Sequence, residues 1–231
     1  MFQNLQDRFY LNFIKDDRWM YLTNGLKTTL IVTFFAVLIG IALGFLIAIV
    51  RSTYDKTGGL KILNAICRLY LTVFRGTPVV VQLLIIYFVI FGSVKIDKTL
   101  VAIVAFGLNS GAYVAEIIRG GIMSIDNGQF EAGRSLGFNY VQTMIYIILP
   151  QVLKNVLPSL GNEFIVLLKE TSVAGYIALE DLTKGGDIIR SRTYDAFMPL
   201  IAVAIIYLVM VMFFSWLLSI LERRLRTSER N

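Results

Sequence analysis

The sequence predicts an all-α integral membrane protein with about five transmembrane helices. Of its 231 residues, 56% are hydrophobic and only 16% are charged, whereas about 25% of the residues in a soluble domain are charged. The mean hydropathy is +0.69. Several stretches run uncharged for about 20 residues, which is the length that crosses a bilayer. We therefore expect one membrane domain and no second folded domain.

The residue types that the chain lacks exclude several kinds of chemistry. There is no histidine, so histidine-based acid–base catalysis and histidine metal sites are excluded. Cys67 is the single cysteine, which excludes an internal disulfide and a cysteine zinc cluster. No phosphate-binding loop pattern occurs, so we expect no ATP hydrolysis by that route. The net charge of +6 fits basic segments beside anionic lipid, and we expect no nucleic-acid partner.

The spans are predicted from uncharged apolar stretches. Leu30 to Val50 and Ala196 to Leu221 carry no charge and are the clearest examples. Hydropathy alone allows one span or two between residues 126 and 177, and we predict one, because Ser135 to Leu153 is rich in polar side chains and glycine. The predicted spans are residues 25–50, 62–92, 99–121, 151–177 and 196–221, and residues 126–149 are predicted to form short helices at the membrane surface.

An odd number of spans places the two chain ends on opposite sides of the membrane. Basic residues are almost evenly divided between the two sides, but arginines cluster directly after the last span. The positive-inside rule therefore favours a cytoplasmic basic tail at residues 223–231 and an external N-terminus. In the predicted external segment, residues 1–24, Phe2, Leu5, Phe9 and Phe13 share one helical face, which is typical of an interfacial helix.

The segment with the most specific pattern lies between the third and fourth spans. It reads Glu131-Ala132-Gly133-Arg134-Ser135-Leu136-Gly137, followed after nine residues by Ile147 and then Leu149-Pro150. This spacing resembles the EAA loop of ABC importer permeases, with Gly133 in place of the usual second alanine. A glycine at position 137 permits a tight turn, and a helical hairpin with that turn can dock into a cleft on a partner protein.

The resemblance extends over about nine-tenths of the chain and is closest to permeases for polar amino acids. Phe74-Arg75-Gly76-Thr77-Pro78 is similar to their second-span motif, and Asn109 to Glu116 with Arg119-Gly120-Gly121 is similar to their third-span motif. Gly161-Asn162-Glu163-Phe164-Ile165 and Leu168-Lys169-Glu170-Thr171-Ser172 are similar to their fourth-span motif. The chain is therefore expected to have the fold of a type I ABC importer permease.

The resemblance also implies partners and a cellular location. We expect two ABC ATPase subunits, a second permease copy in a homodimer, an external amino-acid-binding protein and an amino acid substrate, in a prokaryotic cell membrane. No cofactor is expected on this chain, because the partner ATPase would bind ATP and magnesium. The residues expected to couple the chain to the ATPase are Glu131, Ala132, Gly133, Arg134, Gly137, Leu149 and Pro150.

The residues expected to bind substrate are polar groups in or near the fourth span. A carboxylate inside a membrane costs at least ~2.5–3.5 kcal/mol near the centre, so Glu163 is the first candidate, either for a cationic substrate or for an internal partner such as Arg68 or Arg75. Asn162, Thr171 and Ser172 are candidates for the substrate's ammonium or carboxylate, or for contacts between helices.

Asp181 is a second carboxylate that could meet a cationic substrate. Its alternative role is to cap a short helix at residues 180–184 that Gly185-Gly186 would end. Two carboxylates together favour arginine, histidine or lysine as substrate, and glutamine is the main alternative.

Three other functions compete with this interpretation. A stand-alone secondary transporter would need its own ion-coupling groups, and no pair of matched halves is visible in the sequence. An intramembrane enzyme would need an arranged pair of reactive groups, and none is evident. A purely structural membrane subunit is possible from residue types alone, but the polar breaks and carboxylates argue against it. We therefore do not expect this chain to catalyse a covalent reaction itself.

Overall fold

The computed structural model describes residues 2–227, and these are almost entirely helical. Residue 1 and residues 228–231 of the predicted basic tail lie outside the described residues. Short π-helical turns and two 3-10 segments, Lys15–Asp17 and Thr171–Ile177, interrupt or extend the α-helices. The α-helices are α1 Phe2–Phe9, α2 Trp19–Thr57, α3 Lys61–Gly76, α4 Val79–Leu84, α5 Lys98–Met123, α6 Asn127–Ser135, α7 Tyr140–Thr143, α8 Leu149–Glu170, α9 Leu182–Thr193 and α10 Phe197–Thr227.

The long helices agree with the all-α membrane fold. Within residues 2–227, four helical runs are long and apolar enough to cross a bilayer, and a bent pair of helices gives a fifth if it is counted as one span. The first run begins at Trp19, six residues before the predicted start. The run that contains the predicted fourth span extends from Tyr140 to Ile177. The coupling segment therefore continues directly into that span. Leu149 and Pro150 accordingly lie within this run, at the start of α8 and directly after the π-helical turn Met144–Ile148.

The predicted second span is divided into two helices. α3 ends at Gly76, Pro78 precedes α4, and the two helical axes differ by 109°. Proline cannot donate the backbone hydrogen bond that would continue the helix. The Gln82 side-chain amide replaces that bond by donating to the carbonyl oxygens of Phe74 at 2.8 Å and Thr77 at 2.9 Å. Asn109 of α5 donates to Gln82 at 2.9 Å and ties the break to the bundle.

The core of the bundle is the contact between α2 and α5, the most extensive between any two described elements. Small residues allow the two backbones to approach closely, as is common between membrane helices. A Cβ at Gly40 would lie 2.8 Å from Ser110 Oγ, and one at Gly44 would lie 2.8 Å from the Ala115 backbone nitrogen. From the α5 side, a Cβ at Gly107 would lie 2.9 Å from Ile39.

The bundle has two distinct ends. At one end, Lys56 of α2 donates to Asn127 of α6 at 2.7 Å and Arg119 of α5 pairs with Asp55 at 3.3 Å. We call this the hairpin end. At the opposite end, Lys98 donates to the Ala178 carbonyl at 3.2 Å. The polar contacts of the N-terminal segment also lie there.

The N-terminal segment is attached to the loop between α9 and α10. Arg8 makes a bidentate contact with Asp195 at 2.7 and 3.0 Å, and Asn12 donates to the same carboxylate at 2.9 Å. Hydrogen bonds from Arg8 lower the pKa of Asp195 to about 2, so this carboxylate stays ionised at ordinary pH. Phe9 is exposed but Phe13 is buried in the bundle, so the predicted apolar face is divided between surface and core. The side chain of Phe2 lies outside the described residues.

We predict that Gly44→Ala destabilises the protein by about 1–3 kcal/mol, because the new methyl group overpacks the α2–α5 contact. The clash involves the backbone of Ala115, which cannot move by changing a rotamer. Gly120→Ala is the matched control, since a Cβ at that helical position meets nothing within 4 Å. Alanine has the higher helix propensity, so the control is expected to be neutral or stabilising by up to about 1 kcal/mol. Equal melting temperatures for the two purified variants would contradict the prediction.

Candidate functional site

The EAA-like segment forms a helical hairpin, residues 126–148, at the hairpin end. Asp126 caps α6 by accepting a hydrogen bond from the backbone N–H of Gly128 at 2.7 Å. α6 ends at Ser135, and the turn that follows contains Gly137, whose φ of +82° lies in the left-handed region that favours glycine. Asn139 and Gln142 then form a reciprocal capping box at the start of α7. Each turn of the hairpin is therefore specified by local sequence.

Gly133 has a packing role that the sequence did not reveal. It is buried, and a Cβ there would lie 2.6 Å from both branches of the Thr143 side chain. Thr143 is itself 2% exposed in the opposite arm of the hairpin. The missing methyl group at Gly133 thus makes room for the branched side chain of Thr143.

The hairpin is fixed to the bundle on one side. Met144 and Ile148 are buried with Ile118 and Ile122 of α5 in one apolar cluster. Tyr140, Ile147 and Leu149 are partly buried against the same cluster. Lys56 of α2 also lies over the ring of Phe130, with 4.6 Å between its Nζ and the ring centroid. These contacts hold the hairpin on the ends of α2, α5 and α8.

The other side of the hairpin is exposed and strongly apolar. Leu136 is 71% exposed and Tyr146 is 69% exposed, and Val141 and Ile145 are also exposed. Glu131 and Arg134 line a cavity of about 220 Å³ beside Lys56. Both side chains are exposed and neither makes an ion pair among residues 2–227, so both are free for contact outside the chain. Ala132 is exposed on the same helix.

Glu163 lies inside the bundle where α2, α5 and α8 meet. It is 8% exposed, and its Oε1 accepts a hydrogen bond from Ser110 of α5 at 2.8 Å. The described part of the chain gives it no cationic partner, so the internal pairing with Arg68 or Arg75 is not formed. Arg75 instead faces Glu116 at 3.9 Å. One buried carboxylate is therefore held by a hydroxyl, and a second donor would satisfy it better.

The other predicted substrate residues do not gather around Glu163. Asn162 is exposed next to it in sequence, and Thr171 is buried and donates to the Leu168 carbonyl at 2.8 Å. Asp181 is 1% exposed and caps α9 by accepting from the backbone N–H groups of Thr183 and Lys184, both at 3.1 Å. Burial raises its pKa. The capping role of Asp181 is therefore the one that the structure supports.

The predicted break at Gly185-Gly186 was wrong, because α9 runs through both glycines to Thr193. They permit close packing instead. A Cβ at Gly185 would lie 2.4 Å from the Tyr21 carbonyl oxygen, and one at Gly186 would lie 2.4 Å from a methyl group of Val203. The short helix that the sequence predicted is thus a longer one pressed against α2 and α10.

Ser172 is the one predicted substrate residue that lines a described cavity. This outer cavity, about 400 Å³ in volume, lies opposite the hairpin end beside α9. Sequence reasoning missed its charged residues Lys184, Asp187 and Arg190, which pair at 3.0 and 2.5 Å. Hydrogen bonds from Arg190 and Lys184 lower the pKa of Asp187. The signal that could have identified them is their i, i+3 spacing on one helix face.

Comparison with known protein families identifies the family to which this fold belongs. Residues 40–227 match the family of the binding-protein-dependent transport system inner membrane component. The chain belongs to this family of transport permeases. The glutamine transport system permease protein GlnP of Escherichia coli (strain K12) is 38% identical over 208 residues, which cover 89% of this chain and 93% of that protein.

Solved structures agree with the family assignment. A structure described as an amino acid ABC transporter with histidines superposes with a TM-score of 0.80 at 46% identity, covering 88% of this chain and 94% of that one. The inward-facing MetNI methionine ABC transporter gives a TM-score of 0.77 over 91% of this chain and 99% of that one, but its 19% identity supports the fold alone. This chain is thus an amino acid ABC importer permease with the type I fold.

We predict that Gly133→Ala impairs the hairpin, although it restores the alanine that is usual in EAA loops. The new methyl group would overlap Thr143 and push the two arms of the hairpin apart. The variant permease should therefore stimulate its ATPase partner less than the wild type does. Adding Thr143→Ser removes one branch of the threonine and should restore part of the lost stimulation. Full ATPase stimulation by the single variant would contradict this account of Gly133.

Proposed function

We propose that this chain is the membrane-spanning subunit of an ATP-driven importer for polar amino acids, with glutamine as its substrate. The observation that carries the proposal is a hairpin that is anchored on one side and exposes an apolar face on the other. The chain belongs to a family of transport permeases, which supports docking of that apolar face on separate ATPase subunits. The relatedness to a glutamine permease over nine-tenths of the chain supports the substrate.

The proposed mechanism uses the continuous helix that follows the hairpin. ATPase closure would displace residues 126–148, and the run from Tyr140 to Ile177 would carry that movement past Glu163 to Ser172 at the outer cavity. Two permease copies moving in this way would open the path to the outside when ATP is bound and to the cytoplasm after hydrolysis. An external binding protein would deliver the amino acid, and the prokaryotic cell membrane would be the location.

The environment of Glu163 is compatible with glutamine. The side-chain amide of glutamine has two N–H donors, and a carboxylate held by Ser110 alone among the described residues can accept them. A basic amino acid is the second candidate. It is favoured by the charge of Glu163 and by the 46% identity to a transporter whose structure contains histidines.

The experiment that tests the proposal is uptake by the reconstituted complex. The permease, its ATPase and its binding protein are placed in proteoliposomes, and uptake of labelled glutamine, arginine and histidine is compared with and without ATP inside the vesicles. We expect ATP-dependent uptake of glutamine in excess of the basic amino acids. Preferential uptake of arginine or histidine would establish the second candidate, and uptake driven by an ion gradient without ATP would indicate a secondary transporter.

We predict that Glu163→Gln changes substrate selection without preventing assembly, because the two side chains have nearly the same shape. If the substrate is glutamine, the loss of a charge-assisted hydrogen bond should raise the KM for uptake about tenfold. If the substrate is basic, the variant should lose its preference for arginine over glutamine. Unchanged KM values for all three amino acids would show that Glu163 does not contact substrate.

We predict that Gly137→Glu uncouples transport from ATP hydrolysis. The substitution places a bulky charge at the tip of the hairpin, where a Cβ meets nothing in the chain itself. Gly58→Glu is the matched control, because Gly58 also has a positive φ, +68°, and open space, at the end of α2. Both variants strain the backbone, so backbone strain alone would reduce ATPase stimulation equally. We expect the loss at Gly137 only, and wild-type stimulation there would refute the prediction.

A further inference from the structure

A second polar cavity lies between α2, α3 and α5, in the half of the bundle nearer the hairpin end. Its volume is about 570 Å³, within the range of roughly 300–1,000 Å³ that is common for small-molecule sites. Gly76 at the break of the second span forms part of its wall, and a Cβ at Gly76 would meet nothing within 4 Å. The residues that give it chemical character are Arg51, Arg68, Arg75, Tyr113 and Glu116.

The cavity has more positive than negative charge. Its one carboxylate, Glu116, is already taken by Arg51 at 3.1 Å and by Arg119 at 3.2 Å. Arg75 is 3.9 Å from that carboxylate, which is too far for a hydrogen bond. Arg68 lies over the ring of Tyr54 at 5.7 Å and has no ion pair in the described part of the chain.

Arg51 also has a donor without a partner. Its side chain is 13% exposed, and its Nε is buried with no hydrogen-bond acceptor among the described residues. A buried donor left without an acceptor costs free energy. Arg51 and Arg75 both line the cavity, and the Arg75 side chain is 46% exposed, so two guanidinium groups border the space that an anion would enter.

The depth of the cavity limits what that anion can be. Arg68 and Arg75 fall within the predicted second span and Glu116 within the predicted third, and Arg51 directly follows the predicted first span. Lipid phosphates lie at the bilayer surface, whereas ionisable groups at this depth face a water-filled path or a ligand. By this argument Arg75, which lies beside the break in the second span, faces water or a ligand in the cavity.

We propose that this cavity binds the α-carboxylate of the transported amino acid on its way to the hairpin side, with Arg75 as the main ligand and Arg51 as the second. The proposal rests on the proposed function, because it assigns a carboxylate site to the same transport path. Guanidinium groups bind carboxylates through paired, charge-assisted hydrogen bonds. The side chain of the amino acid would then be left for other contacts.

The experiment measures binding of labelled L-glutamine to the purified permease–ATPase complex in lipid nanodiscs, without the external binding protein. We expect Arg75→Gln to weaken binding roughly ten- to hundredfold, and Arg75→Lys to retain part of the affinity. Arg192→Gln is the control, because Arg192 is exposed at the opposite end of the bundle. Wild-type affinity in Arg75→Gln would overturn the proposal.

Competition on the wild-type complex tests the same idea without a variant that could misfold. L-glutaminamide has a neutral amide where glutamine has its α-carboxylate, so we expect it to compete at least tenfold more weakly. Equal competition would overturn the proposal. Native mass spectrometry provides the lipid test: phosphatidylglycerol retained by wild type and lost in Arg75→Gln, with glutamine affinity unchanged, would assign the cavity to a lipid phosphate instead.

The failure of this proposal can be told from failure of the proposed function. A wild-type complex that does not take up glutamine with ATP contradicts the proposed function. A wild-type complex that takes up glutamine, with Arg75→Gln showing the same KM, contradicts only the carboxylate site.

Discussion

The close approach of α2 and α5 is the constraint on which the rest of the structure depends. Glycines on both helices remove the side chains that would hold the backbones apart, and Gly40 brings Ser110 to the position where it can donate to Glu163. α8 then packs against this pair, and α9 packs against α2. Because lipid provides no hydrophobic driving force between helices, these small contacts determine how the polar groups of the bundle meet.

The hairpin, residues 126–148, has one side fixed to the helix bundle and one side exposed for contact with a partner. Buried Met144 and Ile148 hold the hairpin on the end of α5, while Leu136 and Tyr146 remain exposed. In a transport permease, an exposed apolar face of this kind matches the docking of an ATPase. The uninterrupted helical run from Tyr140 to Ile177 connects this hairpin with the part of the bundle that contains Glu163.

Much of the fold could be predicted because its signals are local. Uncharged stretches coincide with the long apolar helices, and Gly137 lies at the turn that the sequence predicted for the hairpin. The surroundings of Glu163 were harder to predict, because they depend on which helices pack against each other. No pattern in the sequence places Ser110 beside Glu163, and the Gly185-Gly186 pair predicts a helix break until the packing of α9 on Tyr21 and Val203 is known.

The predicted substrate residues depend on the same tertiary contacts. Asp181 is a second acidic candidate in the sequence, but in the structure it caps α9 and each of its carboxylate oxygens accepts a backbone N–H. The prediction of a basic substrate was based on two carboxylates, and only Glu163 remains as a buried carboxylate in the fourth span. The relatedness to a glutamine permease then favours an uncharged polar amino acid.

The measurement that tests the central claim most directly is cross-linking from the hairpin tip to the ATPase. Cys67 is the one native cysteine, so a Cys67→Ala background allows a single photo-crosslinker to be attached at Leu136→Cys. Tyr194→Cys, at a position that is 96% exposed at the opposite end, provides the comparison. The account predicts a cross-linked ATPase from position 136 and none from position 194. Absence of the product at position 136 in an assembled complex, or equal yields from both positions, would contradict it.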